Sequence, residues 1–209
     1  MSNLTEVVGL AASIKKQHST LDVLINNAGV FKTPNPITSD SYDVRFIVNT
    51  VAPYLLTKLL LDVIPTSGRV VNLSSAAQSP VDLKALLGRK ILTDSEAYAQ
   101  SKLGITMWSF ALASAITGEG PAIIAVNPAS LLASKMVKEA YGTDGNDLGI
   151  GADILRRAAI DEEFSAASGR YFDNDRGDFA NPHSDVLDVA KNQSLVSAMD
   201  KLIEKLILV

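Results

Sequence analysis

Leu21-Asp22-Val23-Leu24-Ile25-Asn26-Asn27-Ala28-Gly29 is the stretch whose reading decides the fold. A short apolar run ends on a polar, glycine-closed tetrad, the pattern of a buried parallel strand leading into a loop. Upstream, Asn3 followed by Glu6 predicts a capped helix to about His18, with Val7, Leu10, Ala11 and Ile14 on one face. Downstream, Pro34 and Pro36 mark a loop, and a long helix is expected from about Ser39 to Ile64. Pro53 lies inside that helix and should kink it or remove one backbone hydrogen bond. The alternation then continues with a strand at 68–75, a segment at 76–93 with a short helix near 81–87, and a helix from Asp94 to about Thr117. A strand at 121–126, a helix at 151–159, a strand at 169–172 and a C-terminal helix from Asp185 complete it. Strands separated by helices imply parallel crossovers, so the fold class is α/β, an open doubly wound sheet with helices on both faces. Ligands of such sheets gather beyond the carboxyl ends of the strands, here at Asn26–Gly29, Ser74–Ser75 and Asn127–Pro128.

Composition narrows the chemistry. The chain has 209 residues and a net charge of −4, which suits one folded domain. No basic stripe points to nucleic acid or a membrane surface. There are no cysteines, so disulfides and thiolate catalysis are excluded, and His18 and His183 lack metal-ligand spacing. The sequence has no signal-peptide pattern and no run of about 20 apolar residues, so a cytoplasmic location is expected.

Tyr98-Ala99-Gln100-Ser101-Lys102 places a phenol and an ammonium one helical turn apart. A free tyrosine titrates near ~10, and a neighbouring ammonium favours its phenolate. Such a tyrosine can pass a proton to or from an alcohol or carbonyl oxygen. The pair alone is weak, because Tyr and Lys recur at this spacing on many helices. Ser75, at a strand's carboxyl end, offers a hydroxyl to the same oxygen, against the plainer reading that Ser74 and Ser75 satisfy backbone groups. Asn49 sits mid-helix, an unfavourable place for asparagine, where it is either simply exposed or holds a water linked to Lys102.

Taken in order, Asn26-Asn27-Ala28-Gly29, Asn49, Ser75 and Tyr98-x-x-x-Lys102 closely resemble the motifs of the classical short-chain dehydrogenase/reductase family. The resemblance covers nearly the whole chain. It implies a Rossmann-like fold and an NAD(P)-dependent oxidoreductase interconverting an alcohol and a carbonyl. Tyr98 would be the acid/base, Lys102 would lower its pKa and hold the nicotinamide ribose, Ser75 would orient the substrate oxygen, and Asn49 would complete a relay. Asn26, Asn27, Ala28 and Gly29 would line the cofactor groove and steady the sheet, with Pro128 and Ser134 on the nicotinamide side. The long interval from Ser75 to Tyr98 is similar to the retinol-dehydrogenase-like subgroup and favours NADP over NAD. The implied partners are a small alcohol or carbonyl substrate and further copies, as a dimer or tetramer joined through the two long helices.

Two departures stand against that pattern. Ala129 follows Pro128 where the family has glycine, which matters if the position needs positive φ. No G-x-x-x-G-x-G precedes Asn26, so residues 1–209 are expected to be the C-terminal portion of a Rossmann domain, lacking its first three strands and glycine-rich loop. The strand at 21–25 would then be a bare edge. The competing readings are a non-catalytic remnant or interaction fragment with impaired cofactor binding, and a generic α/β binding module with accidental matches.

Overall fold

Asn3 accepts from the Thr5 and Glu6 amides at 2.9 and 3.3 Å and starts α1 (Leu4–Gln17). In the computed structural model, every residue is described except 135, 139–141, 143, 208 and 209. β1 (Val23–Asn26) follows, then α2 (Val44–Val63). The second helix begins later than the sequence suggested, because Asp43 caps it by accepting from the Arg45 amide. Its interior is not uniform: a π segment, Ile47–Val51, precedes regular helix at Ala52–Leu60. This is the form taken by the distortion expected at Pro53. Proline has no N–H and its ring crowds the carbonyl four residues back, which here belongs to Asn49. Wider i→i+5 bonding, seen from the Ala52 amide to the Ile47 carbonyl, accommodates it.

β2 (Arg69–Leu73), α3 (Leu83–Leu86) and α4 (Asp94–Ala115) come next. Thr93 and Glu96 form a reciprocal capping box that fixes where α4 starts, four residues before Tyr98. β3 (Ala122–Asn127), α5 (Leu148–Ile160), β4 (Arg170–Asp173), β5 (Asp178–Ala180) and α6 (Val189–Ile207) complete the chain. β1 to β4 are parallel neighbours in chain order, and β5 pairs antiparallel with β4. The sequence reading missed β5. Its signal is the Asn174-Asp175-Arg176-Gly177 turn, where Gly177 takes φ 71°.

The sheet buries both faces. Val70 and Ile123 join the core shared by α1, α2, α4 and α6, while Val71, Ile124 and Val126 pack against Ile154 and Ala158 of α5. Arg69 reaches from β2 to the end of α5, donating to the Ala158 and Asp161 carbonyls at 3.2 and 2.7 Å. The outer edge of β1 has no strand partner among the described residues, and Ile25 on it is 39% exposed.

One expectation needs correction. Val44–Val63 is long and apolar enough to cross a membrane by length and composition, contrary to the sequence expectation, yet 72% of its most apolar 18-residue window is buried inside the fold. The two long helices also carry contacts from within the chain. α6 packs on α4 and α1, and its Asp200 accepts from Tyr54 and Lys58 of α2 at 3.1 and 3.0 Å.

α2 and α4 are locked together beside the sheet. Gly104 lets them approach: a Cβ there would stand 2.8 Å from Thr50 Cγ2. Thr50 Oγ1 donates to the Ser101 carbonyl at 2.8 Å, and Trp108 Nε1 donates to the Thr50 carbonyl at 3.2 Å. Arg45, fully buried, holds Asp43 through two bonds of 2.8 and 2.7 Å and also bonds Asp94 in the first turn of α4. These contacts fix the helix bearing Asn49 against the helix bearing Tyr98.

Candidate active site

The carboxyl ends of β1, β2 and β3 open onto a cavity of about 1050 Å³. Ser75, Tyr98 and Lys102 all line it, together with Asn27, Ala28, Gly29, Pro128 and Ser134. Every proposed site residue except Asn26 and Asn49 therefore meets in one place.

Lys102 is 5% exposed, and its ammonium donates to the Leu73 carbonyl at 2.8 Å. It lies 5.8 Å from the centre of the Tyr98 ring. Burial lowers its pKa to about 8. Tyr98 is half-buried, and Phe31 packs against its ring with centroids 4.7 Å apart. Phe31 was not singled out in the sequence; no local pattern marks an aromatic in a loop as a neighbour of a helix residue far along the chain.

The two serines after β2 both line the cavity but differ in their bonds. Ser74 is buried and hydrogen-bonded to Thr106 Oγ1 at 2.6 Å, so it joins the strand to α4. Ser75 also lines the cavity, and among the described residues its oxygen accepts only from the Ala77 amide, at 3.1 Å. Its hydroxyl proton is left to donate into the cavity.

The asparagines sort differently from the expectation. Asn26 does not line the cavity. Its Nδ2 donates to Thr57 Oγ1 at 3.0 Å and to Asn72 Oδ1 at 2.7 Å, and Asn72 continues to Ser109. It ties β1 to β2 and α2, the steadying half of its expected role. Asn49 lies behind the cavity wall. Its Oδ1 accepts from the Val30 amide at 2.8 Å, and its Nδ2 donates to the Val30 carbonyl and Ser101 Oγ, both at 2.9 Å. Both amide protons are engaged, so the side chain fastens the loop after β1 to α4.

The loop after β3 forms the opposite wall. Ala129 takes φ 119°, a conformation that alanine resists and glycine adopts freely. Asp175 holds the loop in place: it accepts from the Ser130 amide and hydroxyl at 2.8 and 2.6 Å and from Asn127 Nδ2 at 2.9 Å. Burial opposes its charge, but these bonds more than offset that and hold its carboxyl below the ordinary value. Ser134 lines the cavity while its Oγ accepts from the Val137 amide at 3.2 Å. Leu131 and Leu148 form a half-exposed apolar rim, with Leu132, Met136 and Leu155 deeper in the lining.

The model for short chain dehydrogenase matches residues 1–145. The chain belongs to that family. It is 30% identical to retinol dehydrogenase 13 of Homo sapiens over 91% of this chain and 63% of that protein. It is 33% identical to polyprenol dehydrogenase of Homo sapiens over 60% of this chain and 40% of that protein. The chain thus spans under two thirds of these curated relatives. Among solved structures, an uncharacterized protein from Mycobacterium paratuberculosis superposes with a TM-score of 0.77 at 23% identity, covering 97% of this chain and 73% of that one. NADPH-bound carbonyl reductase from chicken fatty liver gives 0.65 at 20% identity, over 87% and 74%. These two likenesses show the Rossmann-like fold.

The lining fits one end of a nicotinamide dinucleotide. Among the described residues Lys102 is a buried ammonium with a single acceptor and no carboxylate partner, so two of its protons remain for ligand hydroxyls. Gly29 keeps the space beside it open, since a Cβ there would lie 3.6 Å from Lys102 Nζ and 3.5 Å from Asn49 Oδ1.

Proposed function

We propose that this chain carries the proton-transfer and nicotinamide-side half of an NAD(P)-dependent oxidoreductase that interconverts an alcohol and a carbonyl. The observation that carries the reading is the convergence of Ser75, Tyr98 and Lys102 on one cavity from two elements. A bound nicotinamide supplies or accepts the hydride. In reduction the Tyr98 hydroxyl donates its proton to the substrate oxygen, and in oxidation the phenolate takes it back. Ser75 donates a hydrogen bond to that oxygen and shares its developing charge. Lys102 favours charge on the Tyr98 oxygen and holds ribose hydroxyls, Asn27 to Gly29 and Pro128 to Ser134 forming the walls. Asn49 enters as a relay through its backbone carbonyl, to which Pro53 offers no N–H, and its side chain holds the loop beside Lys102.

The apolar rim and the names of the retinol and polyprenol dehydrogenase relatives support a lipophilic alcohol or its carbonyl as substrate. The NADPH-bound neighbour supports NADP as the cofactor. The unpaired edge of β1 favours a second reading, a non-catalytic chain that associates through that edge. Calorimetric titration of the folded chain with NADPH and NADH separates the two. Micromolar binding is expected, and no binding by a well-folded protein would leave the second reading standing.

A further inference from the structure

The peptide that follows Ser75 is held from two sides by residues that have no place in the proton chemistry. The Ser75 carbonyl accepts from Gln78 Nε2 at 2.9 Å and from the Tyr171 hydroxyl at 3.3 Å. Gln78 Nε2 also donates to Ser74 Oγ at 3.2 Å, and that oxygen is bonded to Thr106 on α4. Tyr171 stands on β4, two strands away from β2. Its register partner on the intervening strand is Ala125, and Ala125 in turn pairs with Asn72. A small residue at that point leaves room for the phenol to reach across to the end of β2.

We infer that Gln78 and Tyr171 are positioning residues that fix the Ser75 peptide and thereby aim its hydroxyl into the cavity. The inference rests on the reading of Ser75 as the donor to the substrate oxygen.

Four features support a holding role. Ala76 and Ala77, immediately beyond, are exposed and start the long segment before α4, and the Ala77 amide bonds the Ser75 hydroxyl oxygen, leaving the Ser75 carbonyl to Gln78 and Tyr171 among the described residues. A carbonyl with donors on both lone pairs has its plane set, whereas one donor leaves it free to swing. Gln78 Oε1 is buried without a partner among the described residues. A buried unpaired acceptor is unfavourable, so the fold holds this amide for the bonds of its nitrogen and against its own stability. Burial, followed by Asp173 and Asp175, raises the Tyr171 hydroxyl well above its ordinary pKa, partly offset by a Gln78 hydrogen bond, so it stays a neutral donor.

The test uses Gln78→Met and Tyr171→Phe in the 209-residue chain, read by backbone amide order parameters and by steady-state kinetics. Gln78→Met removes the donors together with the orphaned acceptor, so its melting temperature should hold or rise. In both variants the order parameters of Ser75 to Ala77 should fall while those of β2 and α4 stay put. kcat/KM for the carbonyl substrate should drop about tenfold or more with KM for NADPH unchanged. Because the two residues act through Ser75, most of that drop should vanish in a Ser75→Ala background. Unchanged order parameters, or the same fold-loss with and without the Ser75 hydroxyl, would overturn the inference. If Ser75→Ala itself leaves turnover intact, or the chain does not turn over, the proposed function fails, and the order parameters alone decide whether the clamp exists.

Discussion

The Lys102 ammonium donates to the Leu73 carbonyl at 2.8 Å and has no carboxylate beside it among the described residues. A cation kept this way is a liability to the fold, since burial alone lowers its pKa from 10.5 to about 8. Below pH 8 both folded and unfolded chains carry the proton, and the burial penalty is felt in full. Between about 8 and 10.5 the folded chain has lost the proton that the unfolded chain still binds, so stability rises with pH across that window. Lys102→Met should therefore stabilise the chain at pH 7 by roughly 1–3 kcal/mol while abolishing turnover. Urea unfolding of both proteins from pH 7 to 10 checks this. The wild type should gain stability relative to the variant as pH rises, and a variant less stable at pH 7 would contradict the assignment.

Ala129 holds φ 119° at the start of the loop facing Lys102 across the cavity. Strain of this kind costs about 1–3 kcal/mol, against up to about 1 kcal/mol of extra chain entropy lost by a glycine. Ala129→Gly should stabilise the chain by about 1 kcal/mol, measured as a shift in denaturant midpoint at constant slope. Destabilisation would mean that the loop does not hold this conformation in solution.

Arg45 is 1% exposed and binds Asp43 and Asp94 together, joining the start of α2 to the first turn of α4. Removing it leaves Asp43 buried without its cation. Arg45→Met should cost about 3–5 kcal/mol. An Asp43→Asn, Arg45→Met double variant should recover part of that loss, because the uncompensated charge is gone. Additive losses in the pair would show that the charge is not what the arginine serves.

Much of this was legible in the chain itself. Periodicity located α1, both long helices and four parallel strands, because each buries a continuous apolar face. Ser75, Tyr98 and Lys102 were readable because their chemistry is tied to strand ends and helical spacing. What sequence concealed was direction. Asn26 and Asn27 are adjacent, yet the pleat turns the first into the core and leaves the second at the cavity. Asn49 was visible as an oddity, but its partner is the Val30 backbone, a tertiary contact that no spacing rule reveals. The same holds for Gln78 and Tyr171, which meet only because β4 lies two strands from β2. The half-turn Asn174–Gly177 did carry a local signal, and reading it would have found both β5 and the Asp175 anchor.

The central claim is that Tyr98 transfers the proton at this cavity. The most direct measurement is the initial rate of NADPH oxidation with a lipophilic aldehyde, comparing the chain with Tyr98→Phe. The variant should keep its circular dichroism spectrum and its NADPH affinity while its rate falls to the background without enzyme. A variant that binds NADPH and still turns over at the wild-type rate would contradict the claim.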